Sequence, residues 1–116
     1  MDNRRTGDWG EAETAAYLRR RGYRITASRF RCRWGEIDLI AEKNGTLCMV
    51  EVKTRTDASR ALPREAVNTA KQERIKSAAA CYLSTHESDA PVRFDVAEVY
   101  AGEAEPRIVY IEDAFR

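Results

Sequence analysis

The sequence predicts an α/β domain in which a mixed β-sheet is flanked by helices. Three observations predict it. Two alternating apolar runs meet at Asn44-Gly45, the dipeptide that most strongly marks a two-residue hairpin turn. A helical pattern precedes this hairpin and a second, alanine-rich one follows it. Further alternating runs come after the second helix, so the order reads αβββαββ. A strand, a long helix and another strand imply a crossover, and with it a parallel pair in an otherwise antiparallel sheet.

The first helix is expected from about Asp8 to Arg21, with Asp8 and Glu11 at capping-box spacing and Gly22 as the stop. Ala15 and Leu18 make one side apolar, and Trp9, Ala12 and Ala16 widen it. Glu11 falls on that side and so points toward the core. Tyr23 to Ser28 alternates and reads as a strand ending near Arg29; Phe30 to Trp34 either continues it or loops before Gly35. Thr56 to Leu62 is polar and aperiodic, a loop. Pro63 suits the first turn of the second helix, which runs to about Leu83. Val92 to Tyr100 is a strand, Gly102 to Pro106 a turn, and Arg107 to Glu112 a short last strand.

The hairpin register carries the chemistry. With Asn44 and Gly45 as turn residues, Ile37 faces Val52, Leu39 faces Val50 and Ala41 faces Cys48, giving one apolar side. On the other side Glu36 faces Lys53 and Asp38 faces Glu51. Opposed carboxylates repel, so a positive group is expected between them. Lys53 leaves the same face as Glu51. Oxygen ligands from Asp38 and Glu51 suit a hard cation such as Mg²⁺ or Mn²⁺, which can polarise a phosphoryl oxygen and acidify water. Lys53 would then steady the attacking water or the developing charge, and Glu11 would close the site from the helix. The competing reading is an exposed ladder of ion pairs. Ile40 and Met49 on the same face argue for a covered cleft instead. His86 reads as a surface residue, Asp95 as a structural hydrogen-bond acceptor, and Lys71, Arg74 and Lys76 as exposed helix charges or phosphate contacts.

The 116 residues fit one domain, 1–116, and 43% apolar with 34% charged residues indicates a globular rather than a disordered chain. Net charge is +1, which excludes binding nucleic acid by bulk charge alone. Yet residues 1–35 hold nine Arg against four acids, while residues 36–116 hold eleven basic residues against fifteen acids. Arg19, Arg20, Arg21, Arg24, Arg29, Arg31 and Arg33 form either a phosphate-facing rim or a solvated face. No signal-peptide core or membrane-spanning run is evident, and Cys32, Cys48 and Cys81 read as reduced, mostly buried thiols; both point to the cytoplasm.

Gly35-Glu-Ile-Asp-Leu-Ile40 followed by Val50-Glu-Val-Lys-Thr-Arg55 resembles the PD-(D/E)XK nuclease superfamily. More closely, the chain resembles the small bacterial YraN-like proteins. Gly10-Glu11, Ala15 to Leu18, Gly22-Tyr23, Lys71 and Arg93-Phe-Asp-Val96 extend the likeness over nearly the whole chain. The resemblance implies a restriction-endonuclease-like αβββαβ core. Asp38 matches the motif aspartate, Glu51 the second acid and Lys53 the lysine, with Ile37 in place of the motif's proline. Glu11 matches a helix glutamate of Holliday-junction resolvases. The implied function is Mg²⁺- or Mn²⁺-dependent hydrolysis of DNA, at branched structures or ends, and resolvase-like relatives admit a homodimer. The alternative is a non-catalytic nucleic-acid-binding or protein-interaction adaptor on the same fold.

Overall fold

Helix α1 spans Asn3–Arg20 and precedes strands β1 (Arg24–Cys32), β2 (Gly35–Lys43) and β3 (Thr46–Arg55). Helix α2 (Thr69–Thr85) follows, then β4 (Val92–Tyr100) and β5 (Arg107–Phe115). This computed structural model describes residues 3–55, 67–102 and 105–116. The strands form one sheet in the order β1-β2-β3-β4-β5. Only β3 and β4 run parallel, so the mixed α/β architecture and its αβββαβ core are as the sequence predicts.

Asn44 and Gly45 both adopt the left-handed region, φ 53° and φ 80°, as a tight hairpin turn of primed type requires. Lys43 pairs with Thr46, Ala41 with Cys48 and Leu39 with Val50. There the ladder stops, and the expected pairs Asp38/Glu51, Ile37/Val52 and Glu36/Lys53 are not part of it. Instead the Asp38 carboxylate accepts the backbone N–H of Val52 at 2.8 Å, so a side-chain oxygen replaces a ladder carbonyl. Ile37 consequently packs with Ile40 and not with Leu39.

The hairpin is buried on both faces. Leu39, Ala41, Cys48 and Val50 pack with Ala15 and Leu18 of α1. Ile40, Leu47 and Met49 pack with Ile75, Ala78, Ala79 and Tyr82 of α2. Each large aliphatic side chain so buried stabilises by roughly 1.5–3 kcal/mol. The face expected to form a covered cleft with Ile40 and Met49 is largely a second core, with charge confined to its Asp38–Glu51 end.

Several boundaries differ from the sequence expectation. Helix α1 starts upstream of Asp8, so Asp8 and Glu11 lie within it and form no capping box; both turn to Arg29. Its end is as expected. Gly22, at φ 87°, closes it while Tyr23 N–H bonds Leu18 O at 3.0 Å and Gly22 N–H bonds Arg19 O at 3.1 Å. Ala12 is exposed, and the buried stripe is Gly10, Thr14, Ala15 and Leu18. The loop at 56–62 and Pro63 fall outside the described residues. Asn68 is extended (φ −72°, ψ 163°) and its side chain accepts the Lys71 N–H, so one unbroken helix from Pro63 does not form. β1 runs on through Arg29 (φ 53°) to Cys32, and β5 passes Asp113 (φ 52°) to reach Phe115.

Candidate functional site

The end of the β2–β3 hairpin and the first turn of α2 bring the charges together. Glu51 follows Val50 on β3 and points, like Met49, toward α2. The Asn68 cap fixes the start of α2, and Lys71 in that first turn forms an ion pair with Glu51. Glu51 is only 6% exposed, whereas about half of the Lys71 side chain meets solvent. Asp38 lies beside them. Burial, and next the charge of Glu51, push its carboxyl up to about 7, against the opposing pull of the Val52 N–H. Burial pulls Lys71 down, but the hydrogen bond and charge of Glu51 outweigh it, so its pKa is raised.

Glu11 approaches from α1. Arg29 Nε donates to Glu11 Oε2 at 2.8 Å, and Arg29 also pairs with Asp8. Burial raises the Glu11 pKa, and the charges of Glu36 and Glu51 add to it. Glu11 and Asp38 line a cavity of about 210 Å³, with Arg29, Arg31 and Glu36 on its wall. Lys53 is half-buried, two residues beyond Glu51, and lies in register with Glu98 of β4. The expected partner of Glu36 was Lys53; the structure pairs Glu36 with Arg31 at 3.0 Å.

Among the described residues, no three His, Cys, Asp or Glu side chains are grouped so as to enclose a metal ion. Of the neighbouring carboxylates Glu51 acts most strongly on Asp38; Glu11 acts on it less and is held by Arg29. Two carboxylates beside an ammonium still fit Mg²⁺, which is commonly held by one or two carboxylates plus water and substrate phosphate. Lys71 already places a cation on Glu51. It is the residue that sequence reasoning undervalued. The available signal was Asn68 three residues earlier, a cap that places position 71 in the first helical turn.

A second polar cluster is structural, as expected for Asp95. Asp95 is fully buried and accepts two bonds from Arg93, one from the Tyr110 hydroxyl and one from the Asp113 N–H at 2.9 Å. Burial, then this hydrogen bond to Asp95, raises the Tyr110 pKa. His86 is exposed at the end of α2 and stacks on Tyr82, 3.9 Å between ring centres. The cysteines are free thiols, but only Cys48 is buried; Cys32 and Cys81 are half-exposed. Among the described residues no helix is long and apolar enough to cross a membrane.

Fold and site define a small α/β protein with a strand-borne pair of acidic side chains beside a helix lysine. The chain belongs to the Uncharacterised protein family UPF0102, the YraN-like family, whose model matches residues 10–99. It is 46% identical over 114 residues to a UPF0102 protein of Syntrophus aciditrophicus, covering 97% of this chain and 90% of that one. A UPF0102 protein of Symbiobacterium thermophilum is 46% identical over 115 residues, covering 97% and 98%. One of Syntrophomonas wolfei is 40% identical over 114 residues, covering 97% and 99%.

Proposed function

We propose that this protein is a metal-dependent nuclease of the cytoplasm that hydrolyses phosphodiester bonds in DNA. The observation that carries the reading is the Asp38–Glu51 pair. Burial and mutual repulsion raise the Asp38 pKa to about 7, which is the signature of a site short of positive charge. Asp38 and Glu51 would hold Mg²⁺ or Mn²⁺. Such an ion supplies polarisation of a phosphoryl oxygen and a more acidic water.

The chain's own residues would do the rest. Lys71 gives Glu51 its counter-charge and fixes that carboxylate. Lys53, on the same strand as Glu51, would orient the attacking water and offset charge on the phosphate. Glu11 would take up a position at the site on release from Arg29. Arg29 and Arg31, both on the wall of the cavity that holds Asp38, would receive substrate phosphates.

The test is cleavage of branched, flapped, single-stranded and linear DNA with Mn²⁺ or Mg²⁺. Cutting lost in both Asp38→Asn and Lys53→Ala supports the reading. Cutting that persists unchanged in both overturns it. A second reading, a non-catalytic nucleic-acid-binding adaptor, is favoured by the internal cations on Glu11 and Glu51. It predicts salt-sensitive DNA binding without metal and no heat of Mn²⁺ binding in calorimetry.

A further inference from the structure

Next to the carboxylate pair lies an open groove of about 610 Å³ between α2 and the tip joining β1 to β2. Arg31, Arg33, Lys71 and Arg74 supply four positive charges to its walls against one carboxylate, Glu36. Trp34 stands at the tip and is 57% exposed, the most exposed large apolar side chain among the described residues. The Arg33 guanidinium lies over its indole ring, 4.5 Å from the ring centre. Trp34 also borders a second cavity of about 450 Å³ on the side of Ser77 and Cys81.

Turn chemistry does not account for this tip. Two-residue hairpin turns favour Gly, Asn or Asp, and neither Arg33 nor Trp34 has a positive φ. The tip is braced instead by Gly35, where a Cβ would lie 2.6 Å from the Arg74 carbonyl oxygen. Close packing of β2 on α2 thus holds an exposed indole among four cations. Aromatic faces beside positive charge are what unpaired nucleic-acid strands bind, by base stacking and phosphate pairing.

The groove is continuous with the proposed site. Lys71 lines it and also pairs with Glu51. Arg31 and Glu36 line both it and the cavity that holds Glu11 and Asp38. The exposed Arg31–Glu36 ion pair contributes little to stability, so a phosphate can replace it at small cost.

We propose that this groove binds an unpaired DNA strand, with a base stacked on Trp34 and phosphates on Arg33 and Arg74, and leads that strand toward Asp38 and Glu51. The inference rests on the nuclease reading for its direction of travel, and it specifies a substrate with a single-stranded arm. Blunt duplex hides all its base faces in the stack except those of the two terminal pairs, and so offers the indole far less than an unpaired strand does.

Binding is measured by fluorescence anisotropy of labelled oligothymidylate and of blunt duplex DNA, in EDTA, so that neither metal nor cleavage contributes. Oligothymidylate is expected to bind at least about tenfold more tightly than the duplex, and Trp34→Ala to lose about tenfold or more. Trp34→Phe, which keeps a stacking ring, should recover most of that loss, and circular dichroism shows whether the variants are folded. Arg74→Ala should lower the slope of log affinity against log salt by about one unit. Duplex bound as tightly as oligothymidylate, or a folded Trp34→Ala variant with unchanged affinity, overturns the proposal. Intact single-strand binding without any cleavage in Mn²⁺ would sink the nuclease reading alone. Cleavage by Trp34→Ala with unaltered preference among flapped and duplex substrates would sink the groove alone.

Discussion

Gly35 packs so closely on Arg74 that a Cβ at position 35 would sit 2.6 Å from the Arg74 carbonyl oxygen and 3.1 Å from its Cβ. The obstacle is helix backbone, which cannot swing aside. Gly35→Ala must push β2 away from α2, at a cost of about 1–3 kcal/mol. Urea unfolding of the purified variant measures it. Gly10→Ala, where the nearest neighbour is the Thr54 side chain, should cost less. Equal stability of Gly35→Ala and the parent chain would refute the contact.

Lys71 and Glu51 form an ion pair in which only the lysine reaches solvent. Lys71→Ala strands a buried carboxylate beside Asp38 and should destabilise by roughly 1–3 kcal/mol, less than a fully buried pair because the lysine is half-exposed. Millimolar Mn²⁺ should then raise the melting temperature of Lys71→Ala more than that of the parent chain, because the ion replaces the missing charge. Thermal scans with and without Mn²⁺ read both effects. An identical Mn²⁺ response in the two proteins would argue against a cation site at Glu51.

Asp38 has its pKa raised from 3.8 to about 7, by burial first and by Glu51 second. The folded chain therefore holds this proton more tightly than the unfolded chain does. Its contribution is fully present below the ordinary carboxylate pKa and is lost as pH rises through about 7. Asp38→Asn keeps an oxygen for the Val52 N–H but cannot ionise. In EDTA the variant should be more stable than the parent by about 1–3 kcal/mol near pH ~8 and nearly equal to it near pH ~4. Melting curves across that range decide it, and a variant less stable than the parent at both ends would contradict the assignment.

Asp95 gathers bonds from Arg93, Tyr110 and the Asp113 backbone in a fully buried position. Asp95→Ala removes the acceptor and leaves those donors facing an empty site. The expected loss is about 3–5 kcal/mol. Asp95→Asn, which keeps one acceptor oxygen, should lose less. Amide hydrogen exchange should show β5 losing protection first in either variant.

The hairpin was legible because local chemistry dictates it: Asn44 and Gly45 are residues that tolerate a left-handed turn, and their position fixes every pair down to Leu39/Val50. The pattern failed one pair later, where Asp38 takes a backbone N–H that alternation assigns to a carbonyl. Capping signals gave mixed returns. Gly22 ends α1 as its spacing suggests, but Asp8 and Glu11 serve Arg29, a partner on another element that no local motif reveals. Arg29 and Asp113 occupy positive φ within strands; β1 takes the continuing course that the sequence left open at Phe30, and β5 runs past Glu112, where alternation stops it. Lys71 became informative when packing brought α2 over the β2–β3 hairpin; in sequence it is one of several charges on that helix, marked only by the Asn68 cap before it.

The parallel pairing of β3 with β4 also bears on how the chain folds. β1, β2 and β3 form a meander whose contacts are close in sequence, and it can assemble early. Leu47 meets Val92 only after the intervening chain has crossed the sheet. Glu51 acquires Lys71 only once α2, which lies between β3 and β4 in the chain, has packed on the sheet. Asp38, Glu51 and Lys53 all lie on that meander, so an early intermediate would hold the acids together before α2 brings Lys71 to them.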